Sequence, residues 1–213
     1  MKLYSLNASY NKKISNKEIK HMDLSELYIV HNRRITDAGI SHMTNLHTLH
    51  ASSKKITDAG VSQKVNLHTL YARGQCGITD EGIKHMKLHT LYVSSSSKIT
   101  DVGIKHMQLY TLLAHYARKI TDAGISHMKL HTLDASWNKK ITDAGIKHMN
   151  LYVLNASWNE KITNAGINHM MNLCCLYFRE NPNITQERIE QMKNLNKNMY
   201  ADGSDNVLFK LIN

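Results

Sequence analysis

Residues 130–150 read LHTLDASWNKKITDAGIKHMN, and the spacing of the apolar side chains in this stretch decides the fold. With Leu130 as position 1, Leu133 and Ala135 take positions 4 and 6, Asn138 position 9, Ile141 position 12, and Ile146 and Met149 positions 17 and 20. Residues 132–136 alternate with period two, so Leu133 and Ala135 are expected to face in, and Thr132, Asp134 and Ser136 out, along a strand. From Ala144 the apolar spacing becomes i, i+3, which puts Ile146 and Met149 on one face of a helix. A single unit therefore carries one short strand and one short helix.

The unit is copied along the chain. ITDAGI or a close variant recurs nine times at steps of 21 or 22 residues, with its first isoleucine at Ile14, Ile35, Ile56, Ile78, Ile99, Ile120, Ile141, Ile162 and Ile184. A period in the twenties marks a solenoid, because one such unit cannot enclose a core and must bury its apolar face against its neighbours. The expected architecture is a right-handed α/β horseshoe with a parallel concave sheet and short convex helices. Residues 1–193 form the array, and 194–213 form a partial last turn with a cap through Val207, Leu208, Phe209 and Leu211.

The most copied residues have structural explanations. Thr142 and Asp143 stand where the helix begins, one to accept from an unpaired N–H and the other to complement the helix dipole. The same explanation covers the column Asp37, Asp58, Asp80, Asp101, Asp122 and Asp143. Gly145 allows neighbouring turns to approach closely. Asn11, Asn32, Asn138, Asn159 and Asn181 hold position 9, where an amide can satisfy backbone groups of the loop leaving the strand.

The pattern L-x-x-L-x-A-x-x-N-x-x-I-T-D-A-G-I resembles the cysteine-containing subclass of leucine-rich repeats, typical of F-box/leucine-rich-repeat proteins. Those proteins are substrate receptors of cullin-type ubiquitin ligases. The column where that subclass has cysteine carries Asn, Ser, Gln or Ala here, and no F-box segment precedes Leu3. The resemblance implies a protein-binding recognition module, with ubiquitin-ligase components among its partners. The near-identical units, rich in Lys, Asn and Ile, are also similar to repeat proteins of large DNA viruses and amoeboid protists.

Information about a partner is expected where copying fails. Position 5 varies (Tyr28, His50, Tyr71, Tyr92, Leu113, Asp134, Asn155, Tyr177) and reads as an outward surface free to diverge. At position 8, Tyr116, Trp137 and Trp158 follow one another in three repeats. Strands ~4.8 Å apart would align them as an aromatic ridge, made of the residue types most enriched in binding hot spots. The alternative is that they cover the edge of the core. Tyr71, Tyr92, Tyr116, Asp134, Trp137, Asn155 and Trp158 are thus the candidate partner-binding residues, on or beside the concave face, with Arg73, His115 and Arg179 at position 7 as polar anchors.

The chain is basic, with a formal charge of +10. Lys13, Arg34, Lys55, Lys98, Lys119, Lys140 and Lys161 form a column at position 11, which reads as a solvated edge. Its rival reading is an anionic-polymer site, but no helix-turn-helix, zinc finger or RNA-binding aromatic motif accompanies it. Two histidine columns, one before the helical Met and one at His47, His68, His89 and His131, present parallel rings rather than a converging metal site. They predict a loss of stability as pH falls through ~6.5. No catalytic or phosphate-binding motif stands out. Non-enzymatic function without cofactor or metal is therefore expected, in a monomer.

Three cysteines, Cys76, Cys174 and Cys175, make no disulfide framework, which fits a reducing intracellular compartment. No signal peptide or membrane span is read, so glycosylation at the Asn7, Asn155 and Asn183 sequons is not expected. The third repeat is one residue short before Ile56, and Lys64 replaces its buried Met with Val65 in a position to compensate. The weakest inter-repeat contact is expected near residues 52–78.

Overall fold

The computed structural model describes residues 3–95 and 97–192. The expected cap at 194–213 lies outside the described residues. Each described repeat opens with a short strand: β1 (Ser5–Asn7), β2 (Glu26–Ile29), β3 (Thr48–Ala51), β4 (Thr69–Ala72), β5 (Thr90–Val93), β6 (Thr111–Leu113), β7 (Thr132–Asp134), β8 (Val153–Asn155) and β9 (Cys175–Tyr177). They form one parallel sheet in chain order, the arrangement of a leucine-rich-repeat solenoid. The register is unbroken: Leu6, Leu27, Leu49, Leu70, Leu91, Leu112, Leu133, Leu154 and Leu176 pair in succession. From Leu27 to Leu176 this column is fully buried, and the ITDAGI isoleucines from Ile35 to Ile184 pack into the same core.

The returning helices are single turns, such as α7 (Asp143–Ile146). Four residues are far below the length at which a helix is stable alone, so its ends must be held by neighbours. Thr142 is the N-cap, its Oγ1 accepting from Ala144 N at 3.1 Å. The aspartates do more than complement a dipole. Asp122 reaches into the next repeat, where its Oδ1 accepts from Thr142 N at 2.8 Å and its Oδ2 from Thr142 Oγ1 at 2.6 Å. Asp37, Asp58, Asp80, Asp101 and Asp143 make the same two-pronged clamp to Thr57, Thr79, Thr100, Thr121 and Thr163.

Gly145 sits against this clamp: a Cβ there would lie 2.3 Å from Asp122 Oδ1. Close approach is thus required at that column, as its sequence suggests.

From Asn32 onward the Asn column is buried, and its amides bond backbone on both sides. Asn159 Nδ2 donates to the carbonyls of Ala135, Asn138 and Ile141, while its Oδ1 accepts from Lys161 N and Ile162 N. One amide therefore joins backbone groups of two repeats.

Four details differ from the sequence reading. The helix closes at Ile146, and Met149 reaches the core through a turn in which its N–H donates to Ile146 O at 2.9 Å. Val65 does not compensate for Lys64, because it is 85% exposed. Lys64 instead buries its own stem and donates from Nζ to Ser41 O at 2.7 Å; burial lowers its ammonium pKa, while Asp23 opposes that shift. In the fourth repeat Gln75 is exposed and Cys76 takes the buried place. The inward column therefore carries Cys where Gln was read. Finally, β3 and β4 keep all four pairs, so the short third repeat leaves the strand ladder intact.

Candidate functional site

The residue at position 8 has a peculiar backbone. Tyr10, His31, Tyr116, Trp137, Trp158 and Glu180 all adopt positive φ, between 52° and 59°, as does Gly74 at 58°. The cause is the sheet edge: the N–H of this residue continues the ladder, as Tyr116 N donates to Ser136 O and Trp137 N to Ser157 O, both at 3.0 Å. Left-handed backbone favours Gly and Asn, and a side chain with a Cβ costs on the order of 1–2 kcal/mol there.

Aromatic residues nevertheless occupy it. Tyr116 and Trp137 stack with centroids 5.0 Å apart and planes at 15°, and Trp137 and Trp158 at 4.5 Å and 13°. All three are half-buried, so the ridge expected from the sequence is continuous and presents part of its surface to solvent.

Position 5 departs from the open surface read in the sequence. Tyr71, Tyr92 and Leu113 form one buried cluster, and Tyr177 packs with Val153 and Cys175 of position 3 in another. Tyr28 packs tilted on His50 at 4.3 Å and His50 stacks on Tyr71 at 3.7 Å across adjacent strands, so these large rings cover one another. Asn155 is buried as well, with Oδ1 accepting from Ser157 N. Asp134 stays half-exposed, accepting from Ser136 N at 2.9 Å. The seven candidates therefore divide. Tyr116, Trp137, Trp158 and Asp134 offer surface, whereas Tyr71, Tyr92 and Asn155 support it.

His50 is the most perturbed group of this face. Only 6% exposed, its Nε2 has no hydrogen-bond partner. Burial, reinforced by the Arg73 guanidinium, pushes its imidazole pKa down to about 4.

A second aromatic ladder lies at the edge where strands begin. His89, Tyr110, His131 and Tyr152 stack in succession at 4.7, 4.5 and 4.8 Å, with planes within 24°. The sequence reading took the histidines of this column as a set and missed the two tyrosines between them. A tally by position rather than by residue type would have found Tyr110 and Tyr152. The other histidine column stitches repeats from outside: Nε2 of His42, His127 and His169 lies 2.8, 3.2 and 2.8 Å from the carbonyls of Met22, Met107 and Met149.

The basic column at position 11 is solvent-exposed throughout. Among the described residues no three His, Cys, Asp or Glu side chains converge as metal ligands, and no helix is long and apolar enough to cross a membrane.

The position-8 ridge is interrupted. In the third repeat Ser53 performs the position-9 task, its Oγ accepting from Lys55 N, so the deleted residue is the one at position 8. Gly74 follows in the next repeat and Ser95 in the one after. Between His31 and Tyr116 the ridge is therefore replaced by a cavity of ≈ 930 Å³.

Comparison with known proteins agrees with the repeat fold. A family model described as Leucine Rich repeat matches residues 126–149. No curated protein matches the chain in sequence. Among solved structures, a chain of the Rad7 and Elc1 complex in yeast is similar with a TM-score of 0.51 and 14% identity, over 89% of this chain and 56% of that one. An internalin (inlF) from Listeria monocytogenes str. 4b F2365 is similar with a TM-score of 0.57 and 18% identity, over 94% of this chain and 66% of that one. The chain thus spans less than two thirds of either neighbour's length, and at these identities the likeness is one of fold.

Proposed function

We propose that this chain, folded as a leucine-rich-repeat solenoid, serves as a non-enzymatic protein-binding module whose anchor is the stack Tyr116–Trp137–Trp158. The supporting observation is the aromatic occupancy of a left-handed backbone position. Ring stacking stabilises by about 0.5–1.5 kcal/mol, which only offsets the backbone cost of about 1–2 kcal/mol. The part of each ring left open to solvent gains nothing from folding. Half-exposed Trp and Tyr in a contiguous patch are what a binding hot spot requires.

The test is quantitative affinity capture from the source cells with the wild-type chain and a Trp137→Gly/Trp158→Gly variant. Glycine suits the positive φ, so the melting temperature should stay within a few degrees while the captured partner disappears. Recovery of the same partner in equal amount by both chains contradicts the proposal. A large fall in melting temperature instead assigns the ridge to core coverage.

A narrower role, substrate recognition in a ubiquitin ligase, draws on the I-T-D-x-G-I resemblance to F-box/leucine-rich-repeat proteins. It also draws on the structural neighbour solved in a complex of Rad7 and Elc1. Co-precipitation with the adaptor that docks F-boxes, from cells expressing the full protein, separates this role from that of a free-standing scaffold.

A further inference from the structure

The interruption of the ridge is a site of its own, and we propose that it binds an acidic, extended peptide segment of the partner. The proposal builds on the protein-binding reading but uses different residues. The cavity is bounded along the position-8 column by Tyr10 packed at a tilt against His31 (4.9 Å) at one end and by Tyr116 at the other. Four repeat steps separate His31 from Tyr116, or roughly 19 Å at the usual strand spacing. An extended chain rising about 3.3 Å per residue crosses that distance with about six residues.

Its lining is strongly one-signed. Arg33, Lys54, Lys55 and Arg73 border it, and no carboxylate does among the described residues. At the other end of the array, the same edge is partly neutralised by the Lys139–Glu160 ion pair at 3.1 Å. A recess with one sign of charge raises the local concentration of oppositely charged ligand, and paired Arg and Lys donors suit carboxylates.

The backbone of the site also differs from the rest of the ridge. His31 N and Gly74 N donate to the hydroxyls of Ser52 and Ser94, where Tyr116 and Trp137 donate to carbonyls. Adaptable hydroxyls thus replace fixed ladder groups along the recess. A single-stranded nucleic acid fits less well, because it needs successive rings open for base stacking. The ring within the recess, Tyr92, has the Arg73 guanidinium over it at 4.8 Å.

The experiment is fluorescence anisotropy of the full chain with a labelled hexaglutamate peptide, and with a hexathymidylate of similar charge as a second arm. Wild type should bind the peptide saturably and more tightly as salt is lowered. The exposed pair Arg33→Glu/Lys54→Glu should weaken it at least about tenfold, the effect of removing two close charge partners. Gly74→Trp, despite the backbone cost of a Cβ at its positive φ, should abolish binding without altering charge, since a Cβ at Gly74 meets nothing within 4 Å and the ring can fill the recess. The distal pair Lys139→Glu/Lys140→Glu should leave affinity unchanged.

Absence of saturable peptide binding, equal losses from proximal and distal pairs, or tighter recess-dependent binding of the oligonucleotide would each overturn the assignment. The Trp137→Gly/Trp158→Gly variant should still bind the peptide. Loss of peptide binding alone therefore sinks the recess, whereas loss of ridge-dependent capture alone sinks the anchor.

Discussion

At the scale of single residues, most buried polar groups have partners; His50 is an exception, as are Ser157 Oγ, Tyr177 Oη and Arg188 Nε among the described residues. Neutral in the folded protein with a pKa of about 4, His50 has an ordinary value near 6.5 once unfolded. Between those values the unfolded chain binds more protons than the folded one. Stability is therefore full above about pH 6.5 and falls as pH drops toward 4, by about 3 kcal/mol in all. Melting curves from pH 7.5 to 4.5 should show this decline in wild type and a shallower one in His50→Phe, which keeps the stack on Tyr71. Parallel curves for the two proteins would refute the assignment. The sequence reading expected acid sensitivity from the histidine columns as a whole. The structure places the largest shift in a ring outside both columns, since burial among Tyr28, Tyr71 and Arg73 depends on which side chains meet across strands, while burial also lowers the pKa of His131 within one column.

At the scale of the element, a one-turn helix is held in place by the clamp from the previous repeat. Asp122→Ala removes both bonds to Thr142 and leaves a partly buried N–H without its acceptor. Losing such a partner costs about 1–3 kcal/mol, so urea unfolding should shift to a lower midpoint. Asp122→Asn should recover part of the loss, because Asn16 and Asn164 already make the equivalent contacts to Thr36 and Thr185. Equal stability of Asp122→Ala and wild type would contradict the clamp.

The Asp column was legible in sequence as a helix-start signal, yet its longer reach was not. Spacing within one repeat says nothing about which atom of the next repeat a side chain touches. The same holds for Gln75 and Cys76, where sequence counting cannot show which of two adjacent residues turns inward.

For the whole molecule, the period of 21 or 22 residues, the leucine column and the direction of each strand were all readable in advance. Each follows from apolar spacing, and apolar spacing is local. The candidate site was readable in part. Tyr116, Trp137 and Trp158 fall in consecutive units and do stack, while Tyr71 and Tyr92 read as open surface and are buried by their neighbours. The defective third repeat was legible as a departure, but the recess it opens was not, because it is made by an absence: a deleted residue, Gly74 and Ser95 in a column that carries rings on either side of them. In a stacked array the departures from the repeat are felt collectively, as ridge and recess, though each arises in one unit.

The ridge contains both tryptophans of the chain, Trp137 and Trp158. Fluorine NMR of the fluorotryptophan-labelled protein therefore reports on the ridge alone, with one resonance from each ring. Addition of the captured partner to saturation should shift both resonances and remove their sensitivity to solvent isotope. Two resonances left unmoved at saturation would contradict the claim that this stack is where the protein binds.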